Sequence, residues 1–224
     1  MSDSGQRLLG SIGALLLRLW GASWRRQQHG LQRLDTQFAS GERTLLLCWH
    51  GDYLALLALL HHRRVCALTN RSWRGRTLSA LCQRLGLSTL ELPAEPRHQF
   101  LVALRRRLAE QPVWATAADG PVGPDREVKP QLLTLAAHFG FTLLPLGVAS
   151  RPNWRLQRRW DKMELPLLFS RVALVVGEPL QLPPHLPDVA LDRFSQELQQ
   201  RLQGCHRQAL ELIRQPAGKN NPAR

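Results

Sequence analysis

The chain has 224 residues, of which 44% are hydrophobic and 21% charged, and its 30 basic and 17 acidic side chains give a formal net charge of +13. This composition excludes a disordered, collagen-like or disulfide-stapled chain, and it permits one domain, or at most two small ones, with a sizeable core. The excess of arginine implies an anionic partner, and the phosphate oxygens of a lipid, a phosphorylated substrate or a nucleic acid would all suit guanidinium groups. A generally arginine-rich composition would give the same count without any partner.

The first predicted element is the apolar segment 8–20, with the sequence LLGSIGALLLRLW. It is too short to span a bilayer, which takes about 20 apolar residues. Trp20, Trp24 and the arginines that follow are typical of an interfacial helix that lies in the headgroup layer of a membrane. A helix packed on the core of the domain explains the same pattern equally well.

Short apolar runs then alternate with helical patterns over the first 150 residues. The predicted strands are 44–49, 65–69, 87–92, 113–118 and 142–148, and the predicted helices are 53–60, 77–85, 100–110 and 131–139. This alternation is typical of strand-helix-strand units, which build parallel sheets. The predicted fold class is therefore α/β, with a mixed, largely parallel central sheet and helices on both faces.

The last third of the chain has fewer predicted elements. A further strand is predicted at 171–176 and a long amphipathic helix at 191–214. The tail 215–224 has no apolar anchor, and we expect it to be disordered. The predicted organisation is an N-terminal amphipathic or interfacial helix over 1–30, an α/β domain over 31–214, and the tail.

Two polar motifs follow predicted strands and could carry chemistry. His50 comes directly after the strand 44–49, and the carboxyl ends of strands are where open α/β sheets bind ligands. An imidazole can accept a proton there at neutral pH, although a lone histidine is often structural. The loop 119–130, DGPVGPDREVKP, follows another strand. Its glycines and prolines are typical of a surface turn, and its amides and cations could also face a phosphate.

Five short motifs occur in a fixed order along the chain. They are Trp49-His50-Gly51-Asp52, the segment 116–124 (TAADGPVGP), Val128-Lys129-Pro130, Leu144-Pro145-Leu146-Gly147 and Gly177-Glu178-Pro179. Trp160-Asp161 lies between the last two. In this order the motifs resemble the lysophospholipid acyltransferase superfamily, and most closely its bacterial branch called domain of unknown function 374. The resemblance covers roughly residues 44 to 183.

The resemblance implies transfer of an acyl chain from acyl-coenzyme A or acyl-carrier protein to the hydroxyl of a lysophospholipid-like acceptor. His50 would be the general base, and backbone amides near the following helix start would stabilise the oxyanion. The thioester is a co-substrate, so the reaction is expected to need no cofactor and no metal. The implied catalytic residues are His50, Asp52 and Asp119, and the implied substrate-binding residues are Gly120, Pro121, Arg126, Lys129 and Arg151.

Two positions depart from the family pattern. The wider superfamily has an aspartate five residues after the histidine, where this chain has Ala55, and Val122 replaces an arginine that would bind phosphate. Asp52 is then the carboxylate nearest to His50 in sequence, but on a helix it would point to the other side, and we expect it to cap the helix. The departures keep open a second hypothesis, a catalytically silent lipid-binding protein on the same fold.

Arginines cluster in residues 63–84, 105–107 and 151–159, and Trp73, Trp154 and Trp160 lie among them. Near an anionic leaflet each cation contributes about 1 kcal/mol of attraction. We therefore predict a peripheral protein on the cytoplasmic face of the cell membrane, whose partners are an anionic membrane surface, a lysolipid and the acyl donor. A nucleic-acid-binding protein is the third hypothesis, because tryptophan and arginine can also stack on bases. The four cysteines form no CxxC pair and predict neither a disulfide framework nor a zinc site.

Overall fold

The computed structural model describes residues 3–92 and 98–215, so most of the predicted tail lies outside the described residues. The helices within these ranges are α1 (Asp3–Ala22), α2 (Leu31–Ser40), α3 (Tyr53–Leu60), α4 (Trp73–Arg84), α5 (His98–Glu110), α6 (Pro130–His138) and α7 (Asp188–Arg214). The strands are β1 (Arg25–His29), β2 (Thr44–Cys48), β3 (Cys66–Asn70), β4 (Ser88–Leu92), β5 (Val113–Ala117), β6 (Thr142–Arg155), β7 (Glu164–Val176) and β8 (Leu180–Gln181).

The strands form a mixed, largely parallel sheet. Their order is β1-β7-β6-β2-β5-β3-β4, and β8 pairs with β6 outside this path. From β6 to β4 each strand runs parallel to its neighbour, whereas β7 is antiparallel to β6 and parallel to β1. Buried clusters lie on both faces of the sheet beneath the helices. The predicted α/β fold class is thus confirmed.

Strand β2 lies in the middle of the sheet, and all five of its residues are buried. Leu46 and Cys48 pack into one core, whereas Leu45 and Leu47 pack into the other, because successive side chains of a strand point to opposite faces. A strand covered on both faces is a continuous apolar run in the sequence, which is why this strand could be predicted. The two cores fix the carboxyl end of β2, and His50 follows there.

Helix α1 packs on the domain through one face. Ala14 and Leu17 are buried in a core shared with α3 and α4. A Cβ at Gly21 would lie 3.0 Å from the Cβ of Ala58, so the helices approach closely. The other face exposes Ile12, Leu15, Leu16 and Leu19. Packing on the core and contact with a membrane interface, the two environments predicted for this segment, are therefore compatible, since only one face of the helix packs on the core. Within the described ranges, no helix has the length and apolarity that crossing a membrane requires.

Two regions of the sheet extend beyond the predicted elements. Residues 25–29, inside the predicted N-terminal helical segment, form the edge strand β1 beside β7. Strands β6 and β7 continue past the predicted strands 142–148 and 171–176 as an antiparallel ribbon. The tip of this ribbon, residues 156–163, joins the two strands and returns to the carboxyl end of β2.

Helix α7 covers β6 and β7. Its buried residues recur every three or four positions and are Leu198, Leu202, Cys205, His206, Ala209 and Ile213. Gly147 of β6 lets the helix approach the sheet, because a Cβ there would lie 2.3 Å from the carbonyl carbon of Cys205. The helix thereby reaches the loop that follows β5.

Candidate active site

His50 begins a 3-10 turn, His50–Asp52, that joins β2 to α3. The preceding residue, Trp49, is buried and anchors the end of the strand. The side chain of His50 is 24% exposed. The imidazole is therefore held at the carboxyl edge of the sheet while remaining partly open to solvent.

The hydrogen-bond partner of the imidazole is Asp161, from the tip of the β6–β7 ribbon. Nδ1 of His50 lies 2.7 Å from Oδ2 of Asp161. Arg159 donates two hydrogen bonds to the same buried carboxylate, one from Nε at 2.8 Å and one from a terminal nitrogen at 2.7 Å. Burial opposes ionisation of this carboxyl, but the hydrogen bonds from Arg159 and His50 outweigh it and lower the pKa of Asp161 to about 2. The ionised carboxylate selects the tautomer with a proton on Nδ1, which leaves Nε2 as the basic nitrogen.

Asp119 connects the end of β2 to the loop after β5. Its Oδ1 accepts a hydrogen bond from the N–H of His50 at 2.8 Å, and its Oδ2 accepts one from the N–H of Arg126 at 3.0 Å. The residue is fully buried. Burial raises the pKa of Asp119, although these backbone hydrogen bonds act in the opposite direction. The structure thus brings His50 and Asp119 together, and the Asp119 carboxylate binds the backbone of two loops rather than facing an open site.

Aromatic rings and a glycine surround the imidazole. The ring centroids of Tyr53 and Trp160 lie 5.2 Å and 5.0 Å from that of His50. A Cβ at Gly120 would lie 3.1 Å from Cδ2 of His50, so the loop backbone lies close beside the ring. These neighbours limit the positions that any other group can take next to the imidazole.

Helix α7 holds the loop 119–130 in place. The guanidinium of Arg126 donates to Nε2 of His206 at 3.2 Å, and Nδ1 of His206 donates to the carbonyl oxygen of Val148 at 2.8 Å. Burial, reinforced by the charge of Arg126, lowers the pKa of His206 to about 4, so the ring stays neutral and can accept from Arg126. Arg126, predicted to bind substrate, is therefore also part of the contact between loop and helix.

The structure differs from two sequence-based expectations for Asp52, its capping of the helix and its pairing with His50. It makes no side-chain capping hydrogen bond, because its backbone has helical angles, φ −101° and ψ −11°, instead of the extended conformation of a capping residue. The carboxylate that bonds the His50 ring belongs to Asp161. Asp52 is 5% exposed, and burial raises its pKa to about 8 although the charge of Arg126 acts in the opposite direction. At neutral pH it is a protonated acid and cannot act as a negatively charged partner for an imidazolium.

The other predicted substrate-binding residues occupy different surroundings. Gly120 lies beside the imidazole of His50. Pro121, the next residue, is exposed. Lys129 precedes α6, and its backbone N–H donates to the carbonyl oxygen of Ala118. Arg151 is exposed on β6, opposite Arg171 of β7. The set is therefore spread over the loop and the ribbon.

Known proteins resemble this chain in fold and, distantly, in sequence. No protein-family model matches the chain. A distant homologue, "Uncharacterized protein RP090" of Rickettsia prowazekii, is 28% identical over 155 residues, which cover 67% of this chain and 69% of that protein. The crystal structure of the 1-acyl-sn-glycerophosphate acyltransferase PlsC from Thermotoga maritima aligns with a TM-score of 0.52 at 14% identity, over 89% of this chain and 79% of that one. The fold is acyltransferase-like.

Asp161 and Arg159 form the hydrogen-bonded array with His50, and no role was predicted for either residue from the sequence. Trp160-Asp161 is one of the motifs that carry the resemblance, and Arg158 and Arg159 directly before it favour an ion pair with Asp161. However, 111 residues separate Asp161 from His50, so spacing alone does not pair them. Over the ranges 3–92 and 98–215, no three His, Cys, Asp or Glu side chains are grouped to hold a metal ion.

Proposed function

We propose that the protein is a peripheral membrane acyltransferase, which moves an acyl chain from acyl-coenzyme A or acyl-carrier protein to the hydroxyl of a lysophospholipid-like acceptor. The array His50–Asp161–Arg159 is the observation that supports this most strongly. It supplies a partly exposed imidazole whose orientation and tautomer are fixed by an ionised carboxylate, as a general base requires. Its position at the carboxyl edge of an acyltransferase-like sheet supports the same assignment.

The proposed reaction needs one base and no covalent intermediate on the enzyme. Nε2 of His50 takes the proton of the acceptor hydroxyl while the hydroxyl oxygen bonds to the carbonyl carbon of the thioester. The negative charge of Asp161 stabilises the imidazolium that forms. The carbon–sulfur bond then breaks, and the proton on Nε2 passes to the departing sulfur, so that ester and thiol leave. Amides in the first turns after β2 are the proposed donors to the oxyanion.

The aspartate five residues after the histidine is not needed in this scheme. Ala55 is buried in the core beneath α3, and Asp161 provides the carboxylate from a different element. The departure at Ala55 is therefore compatible with activity, because the requirement is an ionised acceptor at Nδ1 rather than a particular sequence spacing.

Substitution of His50 tests the proposal directly. With acyl-coenzyme A or acyl-carrier protein and a panel of lysolipids, we expect His50→Ala to reduce the rate of acyl transfer by roughly 10² to 10⁴-fold, the usual contribution of a general base. His138→Ala, at the exposed end of α6, is the matched control and should leave the rate unchanged. Full activity of His50→Ala would remove His50 as the base.

A lipid-binding protein without catalysis is the second candidate, favoured by Val122, which is 79% exposed where the family has an arginine. Saturable binding to lysolipid vesicles, with no consumption of any thioester by the wild-type protein, would favour this candidate over the first.

A further inference from the structure

A bulge in β7 exposes three consecutive apolar side chains. Strands β6 and β7 pair at Arg151↔Arg171 and again at Asn153↔Pro166, so the four residues 167–170 lie opposite Pro152 alone. Three of them are exposed, Leu167 by 45%, Leu168 by 60% and Phe169 by 70%. We name residues 167–169 the β7 bulge. Its apolar side chains add little to the core, so packing against the described part of the chain does not explain them.

The backbone of the bulge is also unfavourable for a side chain of this size. Phe169 has φ +62°, in the left-handed region that glycine adopts readily. For residues with a side chain this region is unfavourable, because Cβ comes too close to the backbone. Phe169 thus has a strained backbone, and its aromatic side chain is exposed to water. Both costs indicate that the side chain serves a contact outside the chain.

The β7 bulge continues the exposed face of α1. The N–H of Phe169 donates to Oγ of Ser23 at 3.3 Å, and Nε1 of Trp20 donates to the carbonyl oxygen of Pro166 at 2.8 Å. Ser23 extends the last turn of the helix, since its N–H bonds to the carbonyl oxygen of Leu19. The apolar residues of that helix face recur every three or four positions and are Ile12, Leu15, Leu16 and Leu19. Helix and bulge therefore form one apolar surface.

Three arginines lie beside this surface. Arg25 of β1 pairs in register with Arg171 of β7, two residues after the bulge, and both line one pocket together with Arg26 and Gln27. A terminal nitrogen of Arg26 donates to the carbonyl oxygen of Gly21 at 2.8 Å, which ties this pocket to the end of α1. Among the residues that the structure describes, no carboxylate lines the pocket.

We propose that the β7 bulge, the exposed face of α1 and the pocket of Arg25, Arg26 and Arg171 form one docking surface for an anionic lipid bilayer. The apolar side chains enter the interfacial layer, and the arginines bind phosphate oxygens of the headgroups. A second copy of the chain fits less well, because a symmetric contact through this surface would bring two sets of three arginines together. Charge therefore selects the bilayer as the partner.

This surface deepens the proposed function, since it states how the enzyme meets its lipid acceptor. Asp161 and Phe169 lie on the same ribbon, eight residues apart, and an extended chain of that length spans at most about 26 Å. The ribbon that orients the catalytic imidazole is thus also a part of the molecule that contacts the membrane.

A single fluorophore on the bulge tests the contact. All four native cysteines are buried, so Leu168→Cys offers an accessible thiol for nitrobenzoxadiazole. Vesicles of phosphatidylcholine with phosphatidylglycerol should shift its emission to the blue, and pure phosphatidylcholine should do so much less. Val189→Cys is the matched control, because Val189 is 92% exposed at the start of α7, a helix packed against β6, β7 and α6. Its emission should not change.

Two results with the fluorophore would overturn the proposal. One is an unchanged emission at position 168 while the protein co-sediments with the anionic vesicles. The other is a blue shift without vesicles that grows with protein concentration, which would show that a second copy covers the surface.

Phe169→Gly separates membrane contact from folding. Glycine adopts φ +62° without strain, so the variant should unfold at the same or a higher temperature. Its affinity for the anionic vesicles should fall roughly tenfold, since one buried aromatic side chain is lost. Neutralising Arg25, Arg26 and Arg171 to Gln should weaken binding about fivefold per arginine. Wild-type affinity in Phe169→Gly, or in the triple arginine variant, would contradict the assignment of those residues.

The vesicle assays contain no thioester, so they can fail or succeed independently of acyl transfer. With a detergent-dispersed acceptor, Phe169→Gly should transfer acyl chains at the wild-type rate and lose rate only on vesicles. His50→Ala should show the reverse, normal vesicle binding without transfer.

Discussion

Two kinds of carboxyl environment lie within one cluster around His50. Asp161, on the ribbon, is buried with a guanidinium and an imidazole, and its pKa falls to about 2. Asp52, at the sheet edge, is buried without such partners, and its pKa rises to about 8. Asp119, also at the sheet edge, accepts backbone hydrogen bonds, and burial raises its pKa. Burial alone neutralises an acid, whereas burial with charged donors keeps it ionised.

This difference assigns the acids to separate tasks. The ribbon supplies an ionised carboxylate beside the proposed general base. Asp119 holds the end of β2 and the loop 119–130 through backbone hydrogen bonds, whereas Asp52 stays protonated in the core. Substitutions of the individual acids test this distinction, because the loss of Asp161 should affect mainly activity and the loss of Asp52 or Asp119 mainly stability.

The largest effect is expected for Asp161→Asn. An amide cannot fix the catalytic tautomer or stabilise the imidazolium, so acyl transfer should fall by at least about 10²-fold. Since the folded pKa lies below the ordinary value, Asp161 stabilises the fold above about pH 4, and this contribution disappears as the pH falls towards 2. Asp192→Asn, on the exposed side of α7, is the control for both activity and denaturant unfolding. Equal activity in the two variants would reject Asp161 as the catalytic partner of His50.

The next largest effect is a change in the pH dependence of stability in Asp52→Asn. With a folded pKa of about 8, Asp52 keeps its proton between about pH 4 and 8, where the unfolded chain has released it. Its contribution to the free energy of unfolding therefore falls as pH rises, by up to about 1.4 kcal/mol per pH unit. Relative to the wild type, Asp52→Asn should become more stable with rising pH in this range. Urea titrations at several pH values measure the difference, and parallel curves would contradict the raised pKa. Charges near Asp52 that contribute are Arg126, Glu164, Asp119 and Asp125.

A smaller effect, about 2 kcal/mol of unfolding free energy, is expected for Asp119→Asn. The amide group can accept only one of the two backbone hydrogen bonds, so the N–H of His50 or of Arg126 loses its acceptor. Chemical denaturation measures the loss, with Asp125→Asn in the same loop as the partly exposed comparison. Hydrogen exchange at those two amides should increase in Asp119→Asn alone. Unchanged exchange would show that the carboxylate does not hold the loop.

The smallest effect is expected for Lys162→Ala. Lys162 pairs with Asp125 at 3.1 Å and joins the ribbon tip to the loop, but 46% of its side chain is exposed. Exposed ion pairs contribute at most about 1 kcal/mol, and this contribution should fade in high salt. A salt-independent loss of several kcal/mol would mean that the ribbon tip depends on this pair more than on the buried contacts of Asp161.

The sheet and the meeting of His50 with Asp119 could be predicted from the sequence because both depend on local patterns. Strand β2 is a continuous apolar run, and β5 pairs with it in parallel, so the residues that follow the two strands meet at one edge. Strand β1 could not be found in this way. Its sequence, Arg25 to His29, is polar throughout, and only pairing with β7 makes it a strand.

The ribbon could not be predicted for a related reason. Residues 151–155 of β6, with the sequence RPNWR, are all exposed, so no alternating apolar pattern marks them as a strand. The return of Asp161 to His50 depends on the pairing register of β6 with β7, including the irregularity at Pro152. Register is a property of two distant segments together, and neither segment alone specifies it.

Helix α7 gives the loop 119–130 its stiffness from outside the loop. Besides the contact of Arg126 with His206, Oε1 of Gln199 accepts a hydrogen bond from the N–H of Val128 at 3.2 Å. These hydrogen bonds attach the glycine-containing loop 119–130 to a helix of 27 residues, which restrains the loop. The position of the loop beside the imidazole consequently depends on residues of α7 that lie 71 and 80 positions further along the chain.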